Sequence, residues 1–180
     1  MEFDILYAIQ TIRTDGLDRF IQALTSVAGS YGQIWLILAA VLCLFPKTRR
    51  GGIAVFVSYA LVFIVGQLAL KDLIARPRPC HIDETVALIV SRPLSFSCPS
   101  THTAWSFGAA TAIAMNNKRI GIAAFAAAAL IAFSRLYLFV HFPTDVLLGM
   151  ALGALSGFCA TYAARAAFRK WGRPIKPEQK

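Results

Sequence analysis

The fold class predicted by this 180-residue sequence is all-α, a polytopic membrane helix bundle, and three observations predict it. Apolar residues make up 57% of the chain and charged residues only 15%, with a mean hydropathy of +0.61; a soluble domain carries about a quarter charged residues. The apolar residues gather into five stretches on the scale of the roughly 20 residues that cross a bilayer as a helix. Lysine and arginine concentrate in alternate connections between those stretches. Disorder, a disulfide scaffold and an ordinary soluble domain are excluded. Nucleic-acid binding, which a net charge of +9 would suggest by itself, loses its basis once the charge is assigned to membrane topology.

Residues 1–22 read as an amphipathic interfacial helix, with Phe3, Leu6, Ile9 and Ile12 at three-residue steps and charges between them. Four acids among the first 18 residues, with no apolar core ahead of a small-residue cleavage site, predict a retained N-terminus and no signal peptide. The first span, Ala23 to Phe45, is weakened by Gly29-Ser30 and Gly32-Gln33. Ile53 to Leu70 is a firm second span. Thr103 to Met115 is short, and crosses only by taking in the Ser100 region and Asn116-Asn117. Ile120 to Val140 and Val146 to Phe168 complete five spans, the last carrying Gly149, Gly153 and Gly157 at the spacing of close helix contacts inside a bundle. With no repeat or linker, residues 1–180 form one domain: a bundle over 23–168 and a basic tail over 169–180.

If the five spans alternate, the 46–52 loop, the Lys118-Arg119 turn and the tail share one side, with 11 basic residues and one acid. That side is predicted to be cytoplasmic. The opposite side holds seven basic residues and eight acids and is near neutral.

Three charged clusters fall at span ends on that opposite, extracytoplasmic side: Lys71 to Pro79, Pro99 to His102, and Ser134-Arg135 with His141 to Asp145. A failure of the third span to cross would put the last cluster on the other face. Lys71, Arg78 and Arg135 lack a matching set of acids. A charge at mid-bilayer costs about 2.5–3.5 kcal/mol, so cations at these positions point to an anionic ligand. Phosphate fits the fork of an Arg and the compact charge of a Lys, and free N–H groups where the third span begins at Ser100 and Thr101 would add to the site. His102 and His141 are candidates for nucleophile and general acid at neutral pH. Asp145, four residues after His141, could accept a ring N–H and fix the tautomer.

These three clusters resemble, in order, the signatures of the type 2 phosphatidic acid phosphatase superfamily. Lys71 and Arg78-Pro79 match Lys, six residues, Arg-Pro; Pro99 to His102 match Pro-Ser-Gly-His with Thr101 in place of Gly; Ser134 to Asp145 match Ser-Arg, five residues, His, three residues, Asp. The resemblance implies a metal-independent, cofactor-free lipid phosphatase. In it His141 is the nucleophile that becomes a phosphohistidine, Asp145 polarises it, and His102 protonates the leaving oxygen and then activates water. Lys71, Arg78, Ser100, Thr101 and Arg135 would hold the phosphate, with Ser134 beside it or hydrogen-bonded to it. The implied partners are a membrane lipid phosphate and water; the compact chain is similar to bacterial members, some of which act on undecaprenyl pyrophosphate. Because Thr tolerates positive φ poorly, Thr101 is expected to alter the cradle slightly.

Other residues have plainer readings. Arg76 and Arg92 read as interface anchors, and His81 as a loop residue. Cys80, His81, Cys98 and His102 match no usual zinc spacing. Cys80 and Cys98 bracket the loop between the first two clusters and could pair as a disulfide; Cys43 and Cys159 lie within spans. A non-enzymatic carrier or sensor of anionic lipids would account for the cations but not for two histidines and the His141-to-Asp145 spacing.

Overall fold

The computed structural model describes residues 1–171, so most of the predicted tail lies outside the described residues. It is all helical: α1 Glu2–Gln10, α2 Asp15–Ala28, α3 Gln33–Leu44, α4 Arg49–Val62, a π-helical stretch Phe63–Leu70, α5 Lys71–Ile74, α6 Pro79–Ile82, α7 Thr101–Ala114, α8 Lys118–Tyr137 and α9 Pro143–Trp171. Three helical runs are long and apolar enough to cross a membrane: Arg49–Ile82, Lys118–Tyr137 and Pro143–Arg169. The pair α2 and α3, bent by 53°, makes a fourth if counted as one span.

The N-terminal third departs from expectation. The helix predicted over 1–22 is two: α1 stops before Thr14, whose hydroxyl accepts the Leu17 N–H at 3.3 Å and caps a new helix running on to Ala28. The span predicted from Ala23 is interrupted where Gly29 and Gly32 both adopt positive φ, 73° and 66°, a conformation glycine takes at little cost. The α1 face of Phe3, Leu6 and Ile9 does not lie bare at an interface. It packs against Tyr137, Leu138, Phe139 and Phe142, and Leu6 is fully buried.

The centre of the bundle is α7, wrapped by α4, α8 and α9. At 14 residues it is about 21 Å long, shorter than the roughly 30 Å hydrocarbon layer. Even so, it runs from Ser100 at one end of the molecule to Met115 at the other, where the Arg165 guanidinium bonds the Met115 carbonyl and Asn116 faces Gly51. The helix α7 is not among the runs long and apolar enough to cross a membrane, yet it connects the two ends of the bundle, and all three charged clusters lie at the same one. The glycines of α9 admit this packing: a methyl group on Gly153 would stand 2.3 Å from the Ala104 carbonyl oxygen, and one on Gly149 2.5 Å from that of Ser100. Trp105 of α7 stacks on Tyr59 at 5.1 Å, and Trp35 donates to the Ser106 hydroxyl at 2.9 Å.

Candidate active site

Lys71, Arg78, Thr101, His102, Arg135 and His141 line one cavity of about 380 Å³. Each is delivered by the end of a helical element. Lys71 follows the π-helical stretch, a feature found often beside functional sites. The helix then ends on Ala75 in the left-handed region, φ 47°, which turns the chain into Arg76-Pro77-Arg78. Arg135 is in the last turn of α8. Phe139, with φ 58°, turns the chain back after α8. Left-handed backbone costs a bulky residue about 1–2 kcal/mol, and burial of Phe139 against Phe3 and Tyr7 holds the turn that aims His141.

Arg78 donates to the Ser95 carbonyl at 2.7 Å, the Val140 carbonyl at 2.8 Å and His141 Nε2 at 3.1 Å. A guanidinium has no acceptor, so Nε2 carries the lone pair and Nδ1 the proton. Burial pushes the His141 imidazole below its ordinary pKa, so the ring is neutral at physiological pH. A neutral nitrogen lone pair therefore faces a cation-lined cavity, as a nucleophile toward phosphorus requires. His102 donates its Nε2 proton to the Gly29 carbonyl at 2.9 Å, which leaves Nδ1 as its basic nitrogen.

Asp145 is fully buried, and its Oδ2 lies 3.7 Å from His141 Nδ1, beyond hydrogen-bond length. The direct hydrogen bond expected from the four-residue spacing is thus replaced by a shared neighbour. Ser97 donates its proton to Asp145, and its oxygen stands 3.5 Å from His141 Nδ1. The carboxylate also accepts from the Phe142 N–H at 2.8 Å and from Arg76 at 2.9 Å.

Two predicted phosphate ligands stand behind the cavity. Ser134 accepts from the Arg135 Nε and Nη2 atoms at 3.1 and 2.9 Å and so orients that guanidinium. Ser100 is fully buried with its hydroxyl on Thr103, while its backbone N–H donates to the Asp145 carbonyl at 3.0 Å. Thr101 opens α7 without positive φ, so the residue that replaces glycine is unstrained there. No side chain caps α7, and the N–H groups of its first turn are available to an anion beside the cavity.

Cys80 and Cys98 are both buried free thiols, which corrects the disulfide. Cys80 packs in the apolar cluster with Tyr137 and Phe139, whereas Cys98 lies in the polar surroundings of Asp145. Among the described residues, no three His, Cys, Asp or Glu side chains are grouped to hold a metal ion.

Sequence reasoning missed several polar residues. Arg76 is no mere anchor: it bridges Asp145 and Glu2, donates to the Thr144 hydroxyl at 2.7 Å, and lies 4.0 Å over the Phe142 ring. Ser95 and the Phe96 carbonyl hold both Lys71 and Arg78. Thr25 binds Arg135 at 2.7 Å. These partners belong to loops and to distant helices, and no local spacing signals them.

The PAP2 superfamily profile matches residues 51–169. This chain belongs to the PAP2 superfamily. The undecaprenyl-diphosphatase of Sulfolobus acidocaldarius is 32% identical over 131 residues, covering 71% of this chain and 63% of that protein. The decaprenylphosphoryl-5-phosphoribose phosphatase of Mycobacterium tuberculosis H37Rv is 34% identical over 129 residues, 68% of this chain and 67% of that protein. Among solved structures, Aquifex aeolicus LpxE superposes with a TM-score of 0.73 at 29% identity, covering 89% of this chain and 94% of LpxE. A phosphatidylglycerolphosphate phosphatase from Bacillus subtilis gives 0.70 at 27% identity, covering 98% and 86%. The PAP2 match begins at Gly51, so the α1 to α3 contacts to Arg76, Arg135 and His102 come from outside the matched segment.

Proposed function

We propose that this PAP2 protein is a metal-independent lipid phosphatase that removes the terminal phosphate of a lipid phosphate or diphosphate, undecaprenyl pyrophosphate being the favoured substrate. The observation that carries this reading is the contact of Arg78 with His141 Nε2 in a cavity that also holds Lys71, Arg135 and His102. Nε2 forms a bond to phosphorus as the bond to the lipid oxygen breaks, and His102, protonated on Nδ1 in the complex with the anionic substrate while Nε2–H stays on the Gly29 carbonyl, gives that Nδ1 proton to the departing oxygen. Water, deprotonated by His102, then breaks the phosphorus–nitrogen bond and releases inorganic phosphate. Lys71, Arg78 and Arg135, with the α7 N–H groups, stabilise the charge spread over the equatorial oxygens. Relatives named for prenyl diphosphate and prenylphosphoribose substrates support the lipid class. In this reading the bundle crosses the membrane five times, with α7 as the short third crossing, α1 at the interface and the site on the extracytoplasmic side.

The test is phosphate release in detergent from undecaprenyl pyrophosphate, phosphatidylglycerol phosphate and phosphatidic acid, with and without chelator. His141→Ala is expected to abolish turnover, and His102→Ala to lower it by about 10²–10⁴-fold. Full activity in His141→Ala would sink the covalent mechanism, and loss on chelation would sink the metal-free one. Lipid binding with no turnover in the unmutated protein would favour an anionic-lipid carrier or sensor instead.

A further inference from the structure

At the end away from the active site, a cavity of about 480 Å³ is lined by Arg50, Met115, Asn116, Tyr162, Arg165 and Arg169. The short central helix makes room for it. The Arg165 guanidinium bonds the Met115 carbonyl where α7 stops, while α9 runs on from Arg165 to Trp171, about 9 Å further. The recess beyond α7 is flanked by α9 and by the first turn of α4, which supplies Arg50.

Three guanidiniums share this recess, and among the described residues no carboxylate lines it or pairs with any of them. Two are held by other means. Arg50 lies 5.3 Å over the Phe168 ring, and Arg165 is fixed by the Met115 carbonyl and lies 6.0 Å over the Tyr162 ring. An aromatic face and one carbonyl orient a guanidinium without neutralising it, and leave most of its five N–H donors free. Like charges gathered in this way repel, and an anion between them removes the conflict.

What that anion is attached to follows from α9. Leu155, Phe158, Tyr162, Arg165 and Arg169 recur at steps of three and four residues and so share one helix face. The first three are exposed apolar side chains on a run apolar enough to cross a membrane. The stripe thus passes from bare hydrocarbon and aromatic surface to two arginines. A molecule matched to it has an apolar chain at one end and a compact anion at the other.

We propose that this cavity binds the phosphate of an anionic phospholipid, whose acyl chain lies along Leu155, Phe158 and Tyr162. Arg50, Arg165 and Arg169 donate to the phosphate oxygens, which the forked guanidinium matches, and the Tyr162 ring sits where head group and chain meet. A phosphate held by all three ties the start of α4 to the end of α9 across the gap left by α7. The site shares no residue with the cavity of Lys71, His102 and His141, and the proposal is independent of the phosphatase reading.

The experiment is native mass spectrometry of the full chain in detergent, titrated with phosphatidylglycerol or with phosphatidylcholine carrying the same acyl chains. Arg50→Gln combined with Arg169→Gln is compared with Lys118→Gln combined with Arg119→Gln, which removes the same charge from exposed residues outside the cavity. One bound phosphatidylglycerol is expected to weaken about tenfold or more in the first pair and to be kept in the second. Equal losses in the two pairs would mean diffuse attraction to the basic end and would remove the site, as would no loss in the first pair or equal retention of phosphatidylcholine. Inorganic phosphate is a further arm: if the protein binds it, and the first pair alone abolishes that binding, the occupant is free phosphate and the lipid is wrong. A last measurement needs no variant. Photoreactive phosphatidylglycerol should label α9 between Leu155 and Tyr162 more strongly than photoreactive phosphatidylcholine does, and equal labelling would overturn the proposal.

Discussion

Arg76 stands two residues before Arg78 and acts on a different partner. Arg78 meets His141 from the cavity side, while Arg76 meets the Asp145 carboxylate from behind, at 2.9 Å, on a side chain 27% exposed. Asp145 is thereby held by Arg76, Ser97 and the Phe142 amide at once. Removing the charge partner of a fully buried carboxylate leaves it under-compensated, and partners of this kind typically alter activity by about 10–100-fold. Arg76→Gln should lower kcat by about that factor with a smaller change in KM, and Arg76→Lys should recover part of it. Steady-state kinetics on a lipid phosphate would check this, and an unchanged kcat would remove Arg76 from the machinery. At this scale the signatures singled out Lys71, Arg78, His102, Arg135 and His141, which line one cavity, and Asp145, which lies behind His141. Ser97 and Ser95 were illegible because their roles depend on where a loop lies against the bundle, which no short-range spacing encodes.

Among the elements, α1 has an unexpected task. It covers the turn from Tyr137 to Phe142 with Phe3, Leu6 and Ile9, and anchors its first turn through Glu2, whose carboxylate accepts from the Thr144 hydroxyl at 2.7 Å and pairs with Arg76. Partial burial alone would raise the Glu2 pKa; the hydrogen bonds from Thr144 and Arg76 outweigh it and hold the group below the ordinary glutamate value. A depressed carboxylate pKa adds stability above the unfolded-state value of about 4.3, and that stability is lost as pH falls through the lower, folded-state value. The thermal midpoint in detergent should therefore drop on acidification below about pH 4.3, and Glu2→Gln should flatten this component. A profile identical in the two proteins would show that the contact does not link α1 to the fold. The three-residue apolar steps of α1 were legible as amphipathicity; that the apolar face meets protein and not lipid depends on the strained turn at Phe139, which only the folded chain reveals.

For the molecule as a whole, charge is sorted by end. Arg50, Asn116, Arg165 and Arg169 come together around a cavity of about 480 Å³ at the end away from the active site, which is how the loops were paired from their composition. If that end is cytoplasmic, an impermeant thiol reagent applied to intact cells should label Ala87→Cys, in the loop above the site, and spare Lys47→Cys until the membrane is opened. The reverse pattern would invert the topology.

The sequence by itself determined the helical membrane class, the family and which charged residues and histidines to look for together, because hydropathy, charge asymmetry and fixed motif spacings are properties of the chain read locally. Tertiary structure decided what those residues face. It placed Ser97 between Asp145 and His141, moved Ser100 and Ser134 behind the cavity, kept Cys80 and Cys98 apart, and broke the first span at Gly29 and Gly32 so that its hydroxyls and one carbonyl reach the site. Each of these depends on contacts between residues far apart in the chain, whose geometry is set only when α7 packs into the centre of the bundle.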